Sequence, residues 1–276
     1  MTDSQTETII RAGHGEAHYW RDLWDFRELL LFLAWRDILI RYKQTVIGVA
    51  WSLIRPVCTM IIFTFVFGKL AGLSSDGTPY PVLVFSALLP WQFFSNSLSD
   101  SSNSLLSNAN MISKVYFPRL IVPLSSIVVS LVDFLITFVL MLTIMMWYQI
   151  FPTWRMLLLP FLLLLALATA LGAGLWFAAL NTKFRDFRYI VPFVVQFGLY
   201  VSPVGFSSNV VPQDFRILYS LNPLVAVIDG FRWSVIGDDV LIYMPGFALS
   251  CLLNLVLLVT GIMYFRKTEK TFADVI

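Results

Sequence analysis

Two groups of residues in this sequence have types that could support catalysis, and neither makes a complete site. Asp238 and Asp239 are adjacent carboxylates of the kind that bind a divalent ion, but no further acid adjoins them. Gly68 and Lys69 are followed by Leu70, whereas a phosphate-binding loop reads GxxxxGKS or GxxxxGKT. We therefore expect no metal and no cofactor in this chain, and energy from ATP would have to come through another chain. A membrane-embedded enzyme stays an alternative that would need more acids at one site.

Polar side chains recur at helical spacing within the apolar segments of the chain. Each of four stripes repeats at i, i+3 or i+4, and i+7, which places its members on one face of a helix. Lipid cannot satisfy these groups, so the stripes must face other helices or water. For a single stripe, contact with another helix is as good an explanation as the lining of a cavity. Four stripes together favour a cavity. The stripes are Gly48, Ser52, Arg55 and Thr59; Gln92, Ser95, Asn96, Ser99 and Asn103; Ser126, Ser130, Asp133 and Thr137; and Tyr189, Phe193, Gln196 and Tyr200.

The composition indicates which class of protein carries these stripes. Apolar residues make up 58% of the chain and charged residues only 13%, and the mean hydropathy is +0.77. A soluble domain has about 25% charged residues and could not cover so much apolar surface. The formal net charge of +2 is too small to indicate a nucleic-acid partner. The sequence therefore predicts an all-α integral membrane protein.

Stretches of about 20 apolar residues are long enough to cross the hydrocarbon core as helices. Five such stretches occur. A sixth, shorter stretch is interrupted by prolines and just reaches the far side of the membrane, so six transmembrane helices are predicted. The six stretches are 48–70, 80–99, 120–147, 156–180, 189–206 and 244–265.

Lys and Arg are distributed unevenly between the connections. If the N-terminus is inside, most of them lie in cytoplasmic connections, and the opposite side carries Lys69, Arg155, Arg216 and Arg232. This positive-inside bias predicts that both termini are cytoplasmic.

Two cytoplasmic connections have apolar faces. Segment 21–43 is too charged to cross a bilayer and too apolar for water, which predicts an interfacial amphipathic helix; a cytosolic helix packed on the bundle is the alternative. Segment 100–118 is rich in Ser and Asn, yet Leu105, Leu106 and Ile112 recur at helical spacing. A short helix there could dock a soluble partner or be a plain linker.

The connection at 207–239 is predicted to lie on the outer side. Asn222 followed by Pro223 indicates the start of a helix, and Gly237 suits its end. The segment is too short to cross the membrane but apolar enough to enter it. We therefore predict a re-entrant helical hairpin, buried in protein or lining a cavity.

Several longer motifs occur in a recognisable order along the chain. They are WRDILIRYKQTVIGVAWSLIRP at 35–56, KVYFPRLIVPL at 114–124, RDFRYIVPF at 185–193, SPVGF at 202–206, and Asn222 and Pro223 with Arg232. In these motifs the chain resembles, over nearly its whole length, the permeases of type 2 ABC exporters for cell-surface polysaccharides.

The resemblance implies a multi-pass permease of the bacterial inner membrane that works as a homodimer in contact with membrane lipid. Two copies of a separate nucleotide-binding ATPase would bind ATP and Mg²⁺ and drive it. The substrate would be a lipid-linked polysaccharide, in the first place O-antigen on undecaprenyl diphosphate; capsule, teichoic acid, a small lipid or a drug are alternatives. The chain would comprise a cytoplasmic N-terminus with the interfacial helix (1–46), the transmembrane domain (47–265) and a cytoplasmic tail (266–276).

The resemblance also implies roles for the connections. Within the coupling loop 100–118, contact with the ATPase is assigned to Leu105, Leu106, Ile112 and Lys114. Within the periplasmic gate hairpin 207–239, the gate is assigned to Asn222, Pro223, Phe231 and Arg232.

A conduit for a sugar polymer needs flat aromatic platforms and replaceable hydrogen bonds. Arg55 lies two turns inside the first span, where an isolated cation is costly. We expect it to face water or a substrate phosphate rather than to pair with Asp133. The residues predicted to line the path are Arg55, Phe85, Trp91, Gln92, Phe94, Asn96, Phe193, Gln196 and Tyr200, with contact to lipid as the alternative for any one ring.

Overall fold

The computed structural model describes residues 19–43, 48–75, 77–184, 186–237, 240 and 242–272. The regular structure within these residues is helical. Residues 1–18 and the acidic pair Asp238 and Asp239 lie outside them. In chain order the α-helices are α1 (Tyr19–Asp25), α2 (Arg27–Lys43), α3 (Gly48–Phe63), α4 (Tyr80–Ser107), α5 (Ala109–Ile112), α6 (Ile121–Trp147), α7 (Leu159–Lys183), α8 (Phe187–Val201), α9 (Arg216–Tyr219), α10 (Leu224–Ile236) and α11 (Met244–Glu269).

Four helical segments of the described residues are long and apolar enough to cross a membrane. They are Ala50–Leu70, Ile121–Trp147, Trp154–Lys183 and Met244–Glu269. Four predicted spans and the all-α membrane class are thereby confirmed. The fifth predicted span is α8, whose 15 residues extend about 22 Å at 1.5 Å per residue. The total of six spans stays a prediction.

Helix α4 corresponds to the second predicted span but is longer than predicted and less apolar than the four segments above. It begins at Tyr80, with a proline in its first turn where no backbone N–H is needed, and continues to Ser107 instead of ending near Ser99. The separate helix predicted within 100–118 is therefore mainly the last two turns of α4, followed by the single turn α5.

Helix α7 forms the centre of the bundle because one of its faces carries small residues. Ala166, Ala170 and Ala178 are fully buried. A Cβ atom at Gly172 would lie 2.7 Å from the backbone of Leu257, so the backbones of α7 and α11 approach more closely than any residue with a Cβ would allow at this position. On its other side α7 packs against α4.

The helices run between two ends of the bundle. The α2 end comprises α1, α2, residues 108–120 and the C-terminus of α11. There Tyr19 Oη donates a hydrogen bond to Glu269 Oε2 at 2.9 Å, and the backbone N–H of Arg119 donates to Glu269 Oε1 at 2.7 Å. The α10 end comprises the described residues of 71–79, together with 148–158, α9 and α10.

The predicted interfacial segment forms two helices, α1 and α2, with a break at Phe26. Leu33 and Ala34 are buried against the bundle, and α2 packs mainly on α6. The opposite face exposes large apolar side chains, which are Trp24, Leu31, Phe32 and Trp35. The segment is helical; its amphipathic character and its position in the membrane interface stay predictions.

The connection that we predict to be on the outer side contains several short helices among its described residues, and its arrangement as a re-entrant hairpin stays a prediction. Short turns at Ser208–Val210 and Gln213–Phe215 precede α9 and α10. Helix α10 ends at Gly237, which has a φ of +101° that residues other than glycine rarely adopt. Its depth in the membrane stays a prediction.

Candidate functional site

Helix α8 displays a polar and aromatic strip on its exposed face. Val191 is its one buried residue among those described. Tyr189, Phe193 and Tyr200 are each more than half exposed, and Gln196 is exposed between them. Three predicted path residues, Phe193, Gln196 and Tyr200, therefore share one open face, and they share it with Tyr189.

Helix α4 lies beside α8 and presents its own narrow polar strip. Gln92, Asn96 and Ser99 are half-buried, while most residues around them on α4 are buried. Their spacing of i, i+4 and i+7 places them on one face. The structure thus leaves the amides of Gln92 and Asn96 partly accessible, as a path requires.

The predicted path aromatics of α4 lie beneath this surface. Trp91 and Phe94 are about 95% buried and pack in one apolar cluster with Phe63 and Val191. A Cβ atom at Gly198 would lie 2.7 Å from Trp91 Cη2, so Trp91 supports α8. In this chain these two rings hold α8 on α4 and do not face an open conduit.

Phe85 is further from an open surface. It is completely buried and packs with Met141, Met145 and Val235. Phe85 therefore has no open surface in this structure, and its place in the path stays a prediction without support. The sequence could not reveal this, because a ring in a span fits lipid, a core or a path equally well.

Arg55 lies on the exposed face of α3. Thr59 Oγ1 donates to its backbone carbonyl at 2.9 Å, and no ion pair of the guanidinium is found among the described residues. Asp133 is bound by another arginine. The expectation that Arg55 and Asp133 do not pair agrees with this arrangement.

A charge cluster that we did not predict joins α2 to three other helices. Arg41 Nη2 lies 2.7 Å from Asp100 Oδ2, and Arg41 Nη1 lies 2.5 Å from Asp133 Oδ2. Tyr42 Oη donates to Asp133 Oδ1, and Ser52 Oγ donates to the same oxygen at 3.0 Å. Burial, together with the hydrogen bond to Asp133, raises the pKa of Tyr42 to about 12, so Tyr42 stays a neutral donor at physiological pH.

The sequence contained part of the signal for this cluster. A carboxylate inside a span, such as Asp133, requires a partner. Arg41 was assigned to an interfacial helix, and its partners lie 59 and 92 residues away in sequence. No local pattern connects segments so far apart.

Replacement of Arg41 with Leu is expected to lower the free energy of unfolding by about 2–3 kcal/mol, because the buried carboxylate of Asp133 and the half-buried carboxylate of Asp100 lose their shared cation. Thermal unfolding of the purified protein measures this loss. The matched control is Arg36→Leu, since Arg36 is about as exposed as Arg41 but pairs with one carboxylate, that of its neighbour Asp37, besides donating to Asn108 Oδ1. Its loss should cost less than about 1 kcal/mol. Equal losses in the two variants would mean that the cluster does not fasten α2.

Arg232 connects α10 to α4 and to the segment after α8. It is 1% exposed. Its Nε donates to Leu83 O at 3.2 Å, Nη1 to Phe206 O at 2.7 Å and Nη2 to Val204 O at 3.0 Å. Arg232 and Asp229 are both buried, because α10 is enclosed nearly all round. Phe231 is likewise completely buried.

Asn222 and Pro223 form a tightly held turn before α10. Asn222 Oδ1 accepts from the backbone N–H of Leu224 at 3.1 Å, and Asn222 Nδ2 donates to Ser202 Oγ at 2.9 Å. From α11, Asn254 Nδ2 donates to Pro223 O at 3.1 Å. Asn222 thus accepts from the first N–H of the helix, but α10 begins one residue later than predicted, so Pro223 and not Asn222 stands at the N-cap position. The contribution of Asn254 was not predicted, since a single Asn in an apolar span has no sequence partner.

Two of the predicted coupling residues do not form an exposed face. Leu105 and Ile112 are 0% and 4% exposed and belong to the main apolar core. Leu106 and Lys114 are exposed, as are the neighbouring Val115 and Tyr116. Leu105 and Ile112 belong to two different helices, α4 and α5, and both pack on the bundle instead of forming one exposed apolar face. Contact of this segment with the ATPase stays a prediction.

Known proteins are similar in sequence to this chain over most of its length. The model of the family described as ABC-2 type transporter matches residues 28–236. The O-antigen export system permease protein RfbA of Myxococcus xanthus is 27% identical over 256 residues, 92% of this chain and 97% of that protein. RfbA of Klebsiella pneumoniae is 27% identical over 250 residues, 90% and 95% of the two chains. The polysialic acid transport protein KpsM of Escherichia coli is 24% identical over 247 residues, 87% and 92% of the two.

Proposed function

The chain belongs to the ABC-2 type transporter family, and from this premise we propose that it is the channel-forming permease of an ATP-driven exporter of cell-surface polysaccharide. Its substrate is a polysaccharide on a lipid carrier, with O-antigen on undecaprenyl diphosphate as the first choice. Members of this family are transporter subunits that pair with ATPase subunits, rather than enzymes. ATP and Mg²⁺ belong to that partner.

The observation that carries this proposal is the open polar and aromatic face of α8 beside the polar strip of α4. Tyr189, Phe193 and Tyr200 offer ring faces for the C–H surfaces of sugars. Gln92, Asn96 and Gln196 offer amides that can exchange hydrogen bonds with hydroxyls as the polymer slides. The names of the relatives, which include O-antigen export permeases, support a sugar polymer as the cargo.

The path runs between two copies of the chain. The span containing α3 is buried for only 11% of its residues, and α8 is also largely exposed, so both helices have faces for a second copy. Arg55 on α3 then meets the carrier phosphates near the entrance. From the uneven distribution of Lys and Arg we assign the α2 end to the cytoplasmic side and the α10 end to the periplasmic side. In this arrangement α9 and α10 form the outer gate.

The ATPase docks at the α2 end, on the exposed residues of the 100–118 segment. Replacement of Leu106 with Asp is expected to weaken association with the ATPase about tenfold or more, because the contact would then bury an unpaired charge. Co-purification of the two subunits measures this effect. Leu106 is 41% exposed, so the stability of the permease itself should not change.

Leu105 is the matched control for Leu106. Because it is completely buried, Leu105→Asp should lower the melting temperature of the permease alone. Normal co-purification of the Leu106→Asp variant would place the ATPase contact elsewhere.

Deletion of the gene tests the proposed function. We expect lipid-linked polymer to accumulate on the cytoplasmic face of the inner membrane while the cell surface loses its polysaccharide. Normal surface polymer with increased sensitivity to small hydrophobic compounds would instead favour the alternative of a drug or small-lipid exporter.

A further inference from the structure

A crevice of about 430 Å³ opens on the side of the bundle near the α10 end. One wall comes from the end of α3 and the helix that continues it, and includes Ile61 and Phe65. The other wall comes from the end of α6 and includes Ile144 and Trp147. Ile61, Phe65 and Trp147 are each more than half exposed. The crevice therefore opens sideways, toward the hydrocarbon in a membrane-spanning protein.

The dimensions of the crevice match one leaflet of a bilayer. Its wall runs from Met60 to Lys69, which is at most about 14 Å at the α-helical rise of 1.5 Å per residue. Half of a hydrocarbon core of roughly 30 Å is about 15 Å. Trp147 and Lys69 lie near the ends of their helices, at the level where aromatic and basic side chains meet lipid headgroups.

The wall on the α3 side has an unusual backbone. Residues Thr64–Leu70 form a π-helix, and the N–H of Ala71 donates to Val66 O at 2.9 Å, which continues its i to i−5 pattern. Such segments are rare and occur frequently at functional sites. Thr64 lines the crevice, and its Oγ1 is a buried oxygen without a hydrogen-bond partner among the described residues.

The charge of the crevice indicates what fills it. Among the described residues that line it, Lys69 is the one charged group, and no described carboxylate forms an ion pair with it. The remaining walls are apolar apart from Thr64 and the polar edges of Trp147 and Tyr148. A ligand that fits has an anionic head, a hydrogen-bond acceptor several ångströms away and a hydrocarbon chain.

We propose that this crevice binds an anionic phospholipid of the bulk membrane. The phosphate contacts the Lys69 ammonium group, an ester carbonyl accepts a hydrogen bond from Thr64 Oγ1, and one acyl chain lies between α3 and α6. This site is separate from the path, so it can be tested whether or not the exported polymer is identified.

The test is native mass spectrometry of the detergent-purified complex with its ATPase partner, titrated with phosphatidylglycerol. We expect Lys69→Ala to raise the dissociation constant about tenfold, equivalent to about 1.4 kcal/mol, and Lys69→Arg to change it little. Thr64→Val keeps the shape of the side chain and should weaken binding severalfold. Equal affinity in wild type and Lys69→Ala would overturn the proposal.

A second pair of variants tests the place of the acyl chain. Ile61→Trp fills the crevice and should reduce bound phosphatidylglycerol, whereas Leu164→Trp changes a similarly exposed aliphatic residue that does not line the crevice and should have no effect. Two results would contradict a bulk-lipid site. One is that undecaprenyl phosphate binds in the crevice and phosphatidylglycerol does not displace it. The other is a wild-type protein that carries no bound lipid, together with an Ile61→Trp variant that no longer forms dimers. That combination would assign the crevice to the interface with a second copy.

Discussion

Replacement of Arg232 with Met is expected to destabilise the protein by about 3–5 kcal/mol, because three buried carbonyls lose their donor at once. The acceptors are the backbone oxygens of Leu83, Val204 and Phe206, on α4 and on the segment that follows α8. Met fills the volume of the side chain but donates nothing. Arg232→Lys should recover little, since an ammonium group cannot reproduce the planar fork that reaches three oxygens.

Thermal unfolding of the purified protein measures the effect of Arg232. Arg216 is the matched control: its guanidinium also donates to backbone carbonyls at the α10 end, those of Asn209 and Val211, but it is only half-buried. Arg216→Met should cost less than half as much. Similar losses in both variants would show that Arg232 does not hold the gate helix on α4.

The largest effect on activity is expected for Arg55→Leu. Arg55 is exposed, so its loss should leave the fold, the dimer and the ATPase complex intact. A hydrogen bond to a charged group contributes about 1.5–3 kcal/mol. Loss of such a contact at the rate-limiting step therefore lowers export of the lipid-linked polymer by roughly 10- to 100-fold.

Arg55→Lys retains the charge and separates two explanations for that result. If charge alone attracts the carrier phosphates, the Lys variant should export at close to the normal rate; if a bidentate contact is needed, it should resemble Leu. Export is measured as the appearance of polymer at the cell surface after a pulse of labelled sugar. Normal export by Arg55→Leu would mean that α3 does not line the path.

The parts of the fold that followed from the sequence are those in which local composition decides the outcome. Helices α6, α7 and α11 could be predicted because long apolar runs have few other stable states in a membrane. The turn at Asn222 and the end of α10 at Gly237 were predictable for the same local reason, since capping depends on one or two residues.

The direction of each helix face could not be predicted in the same way. Leu105 and Phe85 are completely buried, whereas Tyr189 and Phe193 are exposed, yet all four are large apolar or aromatic residues within helices. Hydropathy does not distinguish a core from a lipid surface when both are apolar. The Arg41 cluster was missed because an ion pair between distant segments is a property of the assembled bundle.

The most direct test of the proposed export function is ATP-dependent transfer across inverted inner-membrane vesicles. The vesicles contain this chain and its ATPase, and lipid-linked polymer is present on the exposed cytoplasmic face. Addition of ATP should move the polymer into the lumen, where an added glycosidase no longer degrades it, and vesicles without this chain should show no such protection. Equal protection with and without the chain, or protection that does not need ATP, would contradict the account.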